Sequence, residues 1–133
     1  MDVIKNFLKQ CSKDEIRAVQ EMVDDRTFEL GINKYSTGKA YNFIREDTGD
    51  VSYTGSTIQP LDKRKSGHHH FWKSCPQAEW STYVRENGGP SNFRMELIEL
   101  VPCRNLKELL TRERELIRIY DPKCNIAKLW LWL

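Results

Sequence analysis

Tyr41, Tyr53, Arg64, His68, Glu113 and Asn125 are spaced along this chain so that one small domain could gather them around a phosphate. Hydrolysis of a phosphodiester needs an aligned water, a group to take its proton, and positive charge for the pentacoordinate phosphorus and its leaving oxygen. A guanidinium matches phosphate oxygens with its planar fork. One carboxylate can carry a hydrated Mg²⁺, and phenol and imidazole groups can move or orient protons. Taken singly these residues are ordinary. Tyrosine is common in strands, and Arg64 between Lys63 and Lys65, or Glu113 among Arg112, Arg114 and Glu115, reads as a solvated helix charge. Only their conjunction points to chemistry.

The elements that must position them follow from periodicity and turn chemistry. Ser12-Lys13-Asp14-Glu15 is a capping box, and Ile16, Val19, Met22 and Val23 predict an amphipathic helix to about Asp25. Ile4, Phe7 and Leu8 repeat this spacing over Met1 to Gln10, and Gly31 to Gly38 is a polar connector. From Ala40 the period becomes that of strands. Ala40–Arg45 and Val51–Ser56 flank a loop in which Gly49 can take positive φ, so Tyr41 and Tyr53 are expected on neighbouring antiparallel strands.

Pro60 suits the start of a helix over Leu61 to about Lys73, which carries Arg64 and His68 four residues apart on one face. Ser74 to Ser91, with Pro76, Gly88, Gly89 and Pro90 around a short helix at Trp80–Glu86, reads as the segment most open to insertion. Phe93–Val101 is a third strand with Phe93, Met95, Leu97 and Glu99 on one side. Asn105 and Glu108 cap a last helix that runs to Tyr120 before Pro122, with Glu108 in reach of Arg112.

Bulk properties set bounds. At 133 residues the chain fits one domain and one core. Its 21 basic and 19 acidic residues do not mark a strongly basic nucleic-acid binder, although the excess of positive charge lies after residue 38. Cys11, Cys75, Cys103 and Cys124 lack the paired spacing of a zinc ribbon, and no apolar leader precedes them. Reduced thiols and a soluble intracellular setting, cytoplasm or nucleus and not secreted, are therefore expected, with no membrane partner. His68-His69-His70 could suggest zinc with Cys75, but three consecutive imidazoles on a helix point in three directions.

Gly38-Lys39-Ala40-Tyr41, then Tyr53-Thr54-Gly55-Ser56-Thr57, the pair Arg64 and His68, the stretch Arg112 to Pro122, and Cys124-Asn125-Ile126 together resemble the GIY-YIG nuclease domain. The resemblance covers roughly residues 38–128 and is closest to stand-alone members from large DNA viruses and mobile elements. It implies an α+β fold, a three-stranded antiparallel sheet flanked by helices. Residues 1–37 would form an N-terminal helical extension and 129–133 an apolar tail. Ala40 and Thr54 stand where the family has aliphatic residues, and Lys39 interrupts its Gly-Ile adjacency.

What the resemblance implies for function is a DNA endonuclease with one Mg²⁺ or Mn²⁺ on Glu113. That glutamate is chosen over Glu115 because nine positions separate the family's glutamate from the proline, here Pro122. Tyr41 would be the general base, Tyr53 would orient water or phosphate, and Arg64 would hold the scissile group. His68 would share or relay the proton, and Asn125 would hold the site together. Lys39, Ser56, Lys63, Arg64 and Lys65 would contact DNA. A homodimer is compatible with this reading, and no small-molecule cofactor is called for. The alternatives are a module that keeps the fold and binds DNA without cutting, and a zinc-binding adaptor.

Overall fold

A computed structural model describes residues 12–125. The helix expected over Met1 to Gln10, Cys11, the end of the last motif from Ile126 and the apolar tail lie outside the described residues. The architecture is α+β, with a three-stranded antiparallel sheet and helices against it.

Helix α1, Lys13–Glu29, starts where the capping box places it: Ser12 Oγ accepts from the Glu15 backbone N–H at 3.2 Å and donates to its carboxylate at 3.0 Å. It runs a turn beyond Asp25, because Arg26 to Glu29 contains no helix breaker. None of its residues is buried. Polar groups fasten its far end: Asn33 Nδ2 donates to the Arg104 carbonyl at 2.7 Å, and Arg104 forms an ion pair with Asp25.

Strands β1, Lys39–Arg45, and β2, Val51–Thr57, form the hairpin, with Gly49 at φ +74° in its loop. Strand β3, Phe93–Leu100, pairs with the other side of β1, giving the order β2-β1-β3. The central strand is buried on both faces from Ala40 to Ile44. Tyr41 faces Gly55 and Phe43 faces Tyr53 across the hairpin. Thr54 sits without strain in this interior because its hydroxyl donates to Asn42 Oδ1 at 2.6 Å.

The alternation expected along β3 does not hold beyond Met95. Leu97, in the same register as Phe93 and Met95, is half exposed, and a register shift between Leu97 and Glu99, opposite Tyr41 and Ala40, then inserts Ile98 as an extra residue.

Helix α2, Leu61–Ser74, and helix α3, Glu79–Glu86, cover the face that carries Tyr41 and Phe43. Trp72, Trp80, Val84 and Phe93 join them in one aromatic core. The segment around α3 is thus no surface insertion. Trp80 and Val84, four apart on one helical face, are almost fully buried. Phe43 touches Tyr41, Tyr53, His68, Trp72 and Trp80 by ring edges. Its truncation to Ala would cost about 3–5 kcal/mol.

Helix α4, Leu106–Tyr120, is capped by Asn105 Oδ1, which accepts from the Glu108 N–H at 3.0 Å, and it packs on β2. Glu108 pairs with Arg104, while Arg112 binds Glu99 and Glu115 instead of Glu108. After Pro122 the chain lines the outer edge of β2: the N–H groups of Lys123 and Cys124 donate to the carbonyls of Val51 and Ser52 at 3.1 and 2.8 Å. No helix among the described residues is long and apolar enough to cross a membrane.

Candidate active site

The geometry centres on the Tyr41 hydroxyl. Helix α2 presents Arg64 and His68 one turn apart, and both reach this oxygen: Arg64 Nε donates to it at 3.1 Å and His68 Nε2 lies 2.7 Å away. On the far side of the imidazole, Trp80 Nε1 donates to Nδ1 at 3.1 Å. A chain of four side chains from α3 through α2 to β1 is therefore hydrogen-bonded end to end. The terminal nitrogens of Arg64 have no partner among the described residues.

Tyr53 stacks on Trp80 at 5.0 Å and meets the His68 ring by its edge at 5.1 Å. Its hydroxyl has no hydrogen bond among the described residues. With Arg64, His68, Gly67 and Phe71 it lines a cleft of about 320 Å³. A larger cleft, about 500 Å³, lies between α1 and α4 and is walled by the Asp25, Arg104 and Glu108 ion pairs. None of the six candidate residues lines it, so size does not mark the site here.

Glu113 and Asn125 meet the assembly from the outer edge of β2. Asn125 uses its amide as a surrogate strand, Oδ1 accepting from the Thr54 N–H at 2.8 Å and Nδ2 donating to the Thr54 carbonyl at 2.9 Å. Two residues along, Ser56 donates its hydroxyl to Glu113 Oε1 at 2.9 Å, and its backbone N–H also serves that carboxylate. The charge of Glu113 acts on Tyr41, Tyr53 and Arg64. Glu115, the rival carboxylate, is exposed and bound to Arg112 at 2.7 Å. The structure thus brings Tyr41, Tyr53, Arg64, His68 and Glu113 into one electrostatic neighbourhood, with Asn125 fastening the strand that carries Tyr53.

Burial dominates the protonation of these groups. It raises Tyr41 well above the ordinary phenol range; the neighbouring Tyr53 adds to this and Arg64 opposes it. Tyr53 is raised by burial and then by Glu113. Burial, then the charges of Arg64 and His69, push His68 down to about 3. The Glu113 carboxyl is raised by burial, against the hydrogen bonds from Ser56. At neutral pH the free protein therefore holds Tyr41 as a phenol and His68 as a neutral ring.

In the free protein Ser56 holds Glu113, and Lys39 Nζ donates to the Gln59 carbonyl at 2.9 Å. Lys63 and Lys65 stay exposed beside Arg64. Tyr41 has no exposed surface at all, with Arg64 and His68 against its oxygen. The residue that sequence reasoning missed is Trp80; its apolar i,i+4 spacing with Val84 was the available signal.

For a divalent cation the donor set is sparse but adequate. Among the described residues no three His, Cys, Asp or Glu side chains cluster to form a protein cage. Glu113 offers a half-buried carboxylate that Ser56 holds through its hydroxyl and backbone N–H. That fits Mg²⁺, which binds through one or two carboxylates and keeps water and phosphate oxygens in its other positions. The imidazoles give no second site, since His68 is buried in the aromatic core while His70 is exposed.

Comparison with family models, with curated proteins and with solved structures finds no match to this chain.

Proposed function

We propose that this chain is a divalent-metal-dependent endonuclease of the GIY-YIG type that hydrolyses phosphodiesters in DNA. The observation that carries the reading is the 3.1 Å bond from Arg64 to Tyr41 within the field of Glu113. It joins a phosphate-seeking guanidinium, a proton acceptor and a lone carboxylate, although the three lie on β1, α2 and α4. Bound at Glu113, a Mg²⁺ or Mn²⁺ ion would supply charge for the leaving oxygen.

The chain's own groups divide the remaining work. Arg64 turns its terminal nitrogens, which have no partner among the described residues, to the scissile phosphate, and that movement uncovers the Tyr41 oxygen. Tyr41, once its own proton has passed to solvent, takes the proton of the attacking water as phenoxide. The unpartnered Tyr53 hydroxyl orients that water or a non-bridging oxygen. Asn125 keeps β2 in place, and Lys63 and Lys65 meet the backbone on either side of Arg64.

One observation favours a second reading, a module that binds DNA without cutting it: the complete burial of Tyr41. Incubation of purified protein with supercoiled plasmid and Mg²⁺ separates the two. Nicking by the wild type, lost in Glu113→Ala and Arg64→Ala, supports the enzyme. Retention of the plasmid on a gel without nicking supports the binding module.

A further inference from the structure

An indole has one hydrogen to donate, and that of Trp80 is directed at His68 Nδ1 from 3.1 Å. Nδ1 must therefore present a lone pair. A neutral imidazole with a bare Nδ1 carries its hydrogen on Nε2, so the 2.7 Å contact to Tyr41 Oη runs from ring to phenol. A cationic ring would bring an N–H on Nδ1 against the indole N–H. The opposite neutral tautomer would do the same.

We propose that Trp80 is a positioning residue that fixes His68 as the neutral Nε2–H tautomer, so that the imidazole donates to Tyr41 Oη and cannot accept its proton. Every element around the ring agrees. Tyr41 and Phe43 of β1, Tyr53 of β2 and Trp72 of α2 meet it with aromatic surface. The charges acting on it are those of Arg64 and His69, both of which disfavour a second ring proton.

The consequence deepens the nuclease reading and, in its catalytic part, rests on it. With Arg64 and His68 both donating in the free protein, two positions around the Tyr41 oxygen are filled by hydrogen-bond donors. As phenoxide, Tyr41 keeps the His68 donor and accepts the water's proton on the side that Arg64 leaves when it turns to the phosphate. No electron transfer or further group is involved: the water's O–H bond breaks and the phenol's forms. The proton leaves past Arg64 toward solvent, not inward through the imidazole. His68 is then a stabilising donor, where the sequence suggests a relay.

The test begins with the tautomer, which is independent of cutting. The chain holds three histidines, so the His69→Gln/His70→Gln variant has His68 alone. In long-range ¹H–¹⁵N spectra of this variant between about pH 5 and pH 8, Nδ1 is expected at an unprotonated shift and Nε2 at a protonated one, both constant with pH. A scalar coupling across the hydrogen bond between the Trp80 and His68 nitrogens is expected in the same protein. A protonated Nδ1, or a ring that titrates near pH 6.5, overturns the proposal.

Trp80→Phe in that background, its fold checked by amide dispersion, is expected to give mixed tautomers and a ring that titrates. An unchanged pure Nε2–H ring would overturn the part assigned to Trp80. In nicking assays Trp80→Phe is expected to lower kcat about tenfold or more with KM nearly unchanged. The expected tautomer in a protein that never nicks would leave the positioning intact and sink the nuclease reading. The reverse tautomer in a protein that nicks would do the opposite.

Discussion

A Cβ on Gly55 would lie 2.6 Å from the Tyr41 hydroxyl oxygen and 2.8 Å from its Cζ, so the Tyr41 ring occupies the space that any side chain at its cross-strand partner would need. The ring has no slack with which to yield: it is fully buried, and Arg64 and His68 hold its oxygen. Gly55→Ala is expected to destabilise the protein by about 1–3 kcal/mol, the usual cost of overpacking. Urea unfolding measures this. An unchanged midpoint would mean that the ring has another place to go, and that the Arg64–Tyr41 contact is not held as described.

Much of this arrangement was legible along the chain, for reasons tied to local chemistry. Gly49 announces the hairpin, the Ser12 and Asn105 caps announce α1 and α4, and the four-residue gap between Arg64 and His68 puts both on one face of α2. Glu113 is separable from Glu115 in the sequence only by a family spacing; in the fold Arg112 pairs with Glu115 and Ser56 holds Glu113. What could not be read depends on long-range packing. Glycines and prolines around α3 suggest a segment open to insertion, while Trp80 is nearly buried against His68. The register shift after Leu97 depends on how β1 and β3 meet, and the contact of Arg64 with Tyr41 depends on α2 docking.

Glu113 separates function from stability. Burial raises its carboxyl, so its folded-state pKa lies above that of the unfolded chain. The folded protein then binds the proton more tightly, and ionised Glu113 is a cost at neutral pH. Glu113→Gln keeps an oxygen for Ser56 and removes that cost. Its unfolding free energy at neutral pH is expected to equal or exceed that of the wild type, while metal-dependent nicking falls at least about a hundredfold. A clear loss of stability would make Glu113 a structural residue and remove the case for a metal there.

His68 gives stability a pH dependence of the opposite sign. Its folded-state pKa of about 3 lies below the ordinary 6.5, so between those values the unfolded chain binds the extra proton. The stabilisation is complete above about pH 6.5 and is lost progressively as pH falls toward 3. Each unit in that window is worth about 1.4 kcal/mol, which gives a loss of about 2 kcal/mol by pH 5. Urea denaturation at pH 7.5 and pH 5 is expected to show this increment in Glu113→Gln, where the opposing carboxyl is absent. It should vanish when His68→Gln is added. A flat response in both proteins would place the imidazole in contact with water.

If the proposed nuclease uses Tyr41 as its base, Tyr41 sets the pH dependence of cutting. A general base works in its deprotonated form, and burial has moved this phenol above its ordinary value. At every pH below that raised value, the competent fraction grows about tenfold per unit. The logarithm of kcat/KM is therefore expected to climb with a slope near one from about pH 6 to about pH 9, without levelling off. No inflection is expected near pH 6.5, because His68 stays neutral throughout that range. Tyr41→Phe keeps the ring over Gly55 but removes the oxygen that Arg64 and His68 share. It is expected to remain folded and to lose nicking at all pH values, whereas Tyr53→Phe keeps the slope and lowers the rate. A plateau above pH 7 in the wild type, or the same rising profile in Tyr41→Phe, would assign the proton transfer to another group and leave Tyr41 as the buried anchor of Arg64.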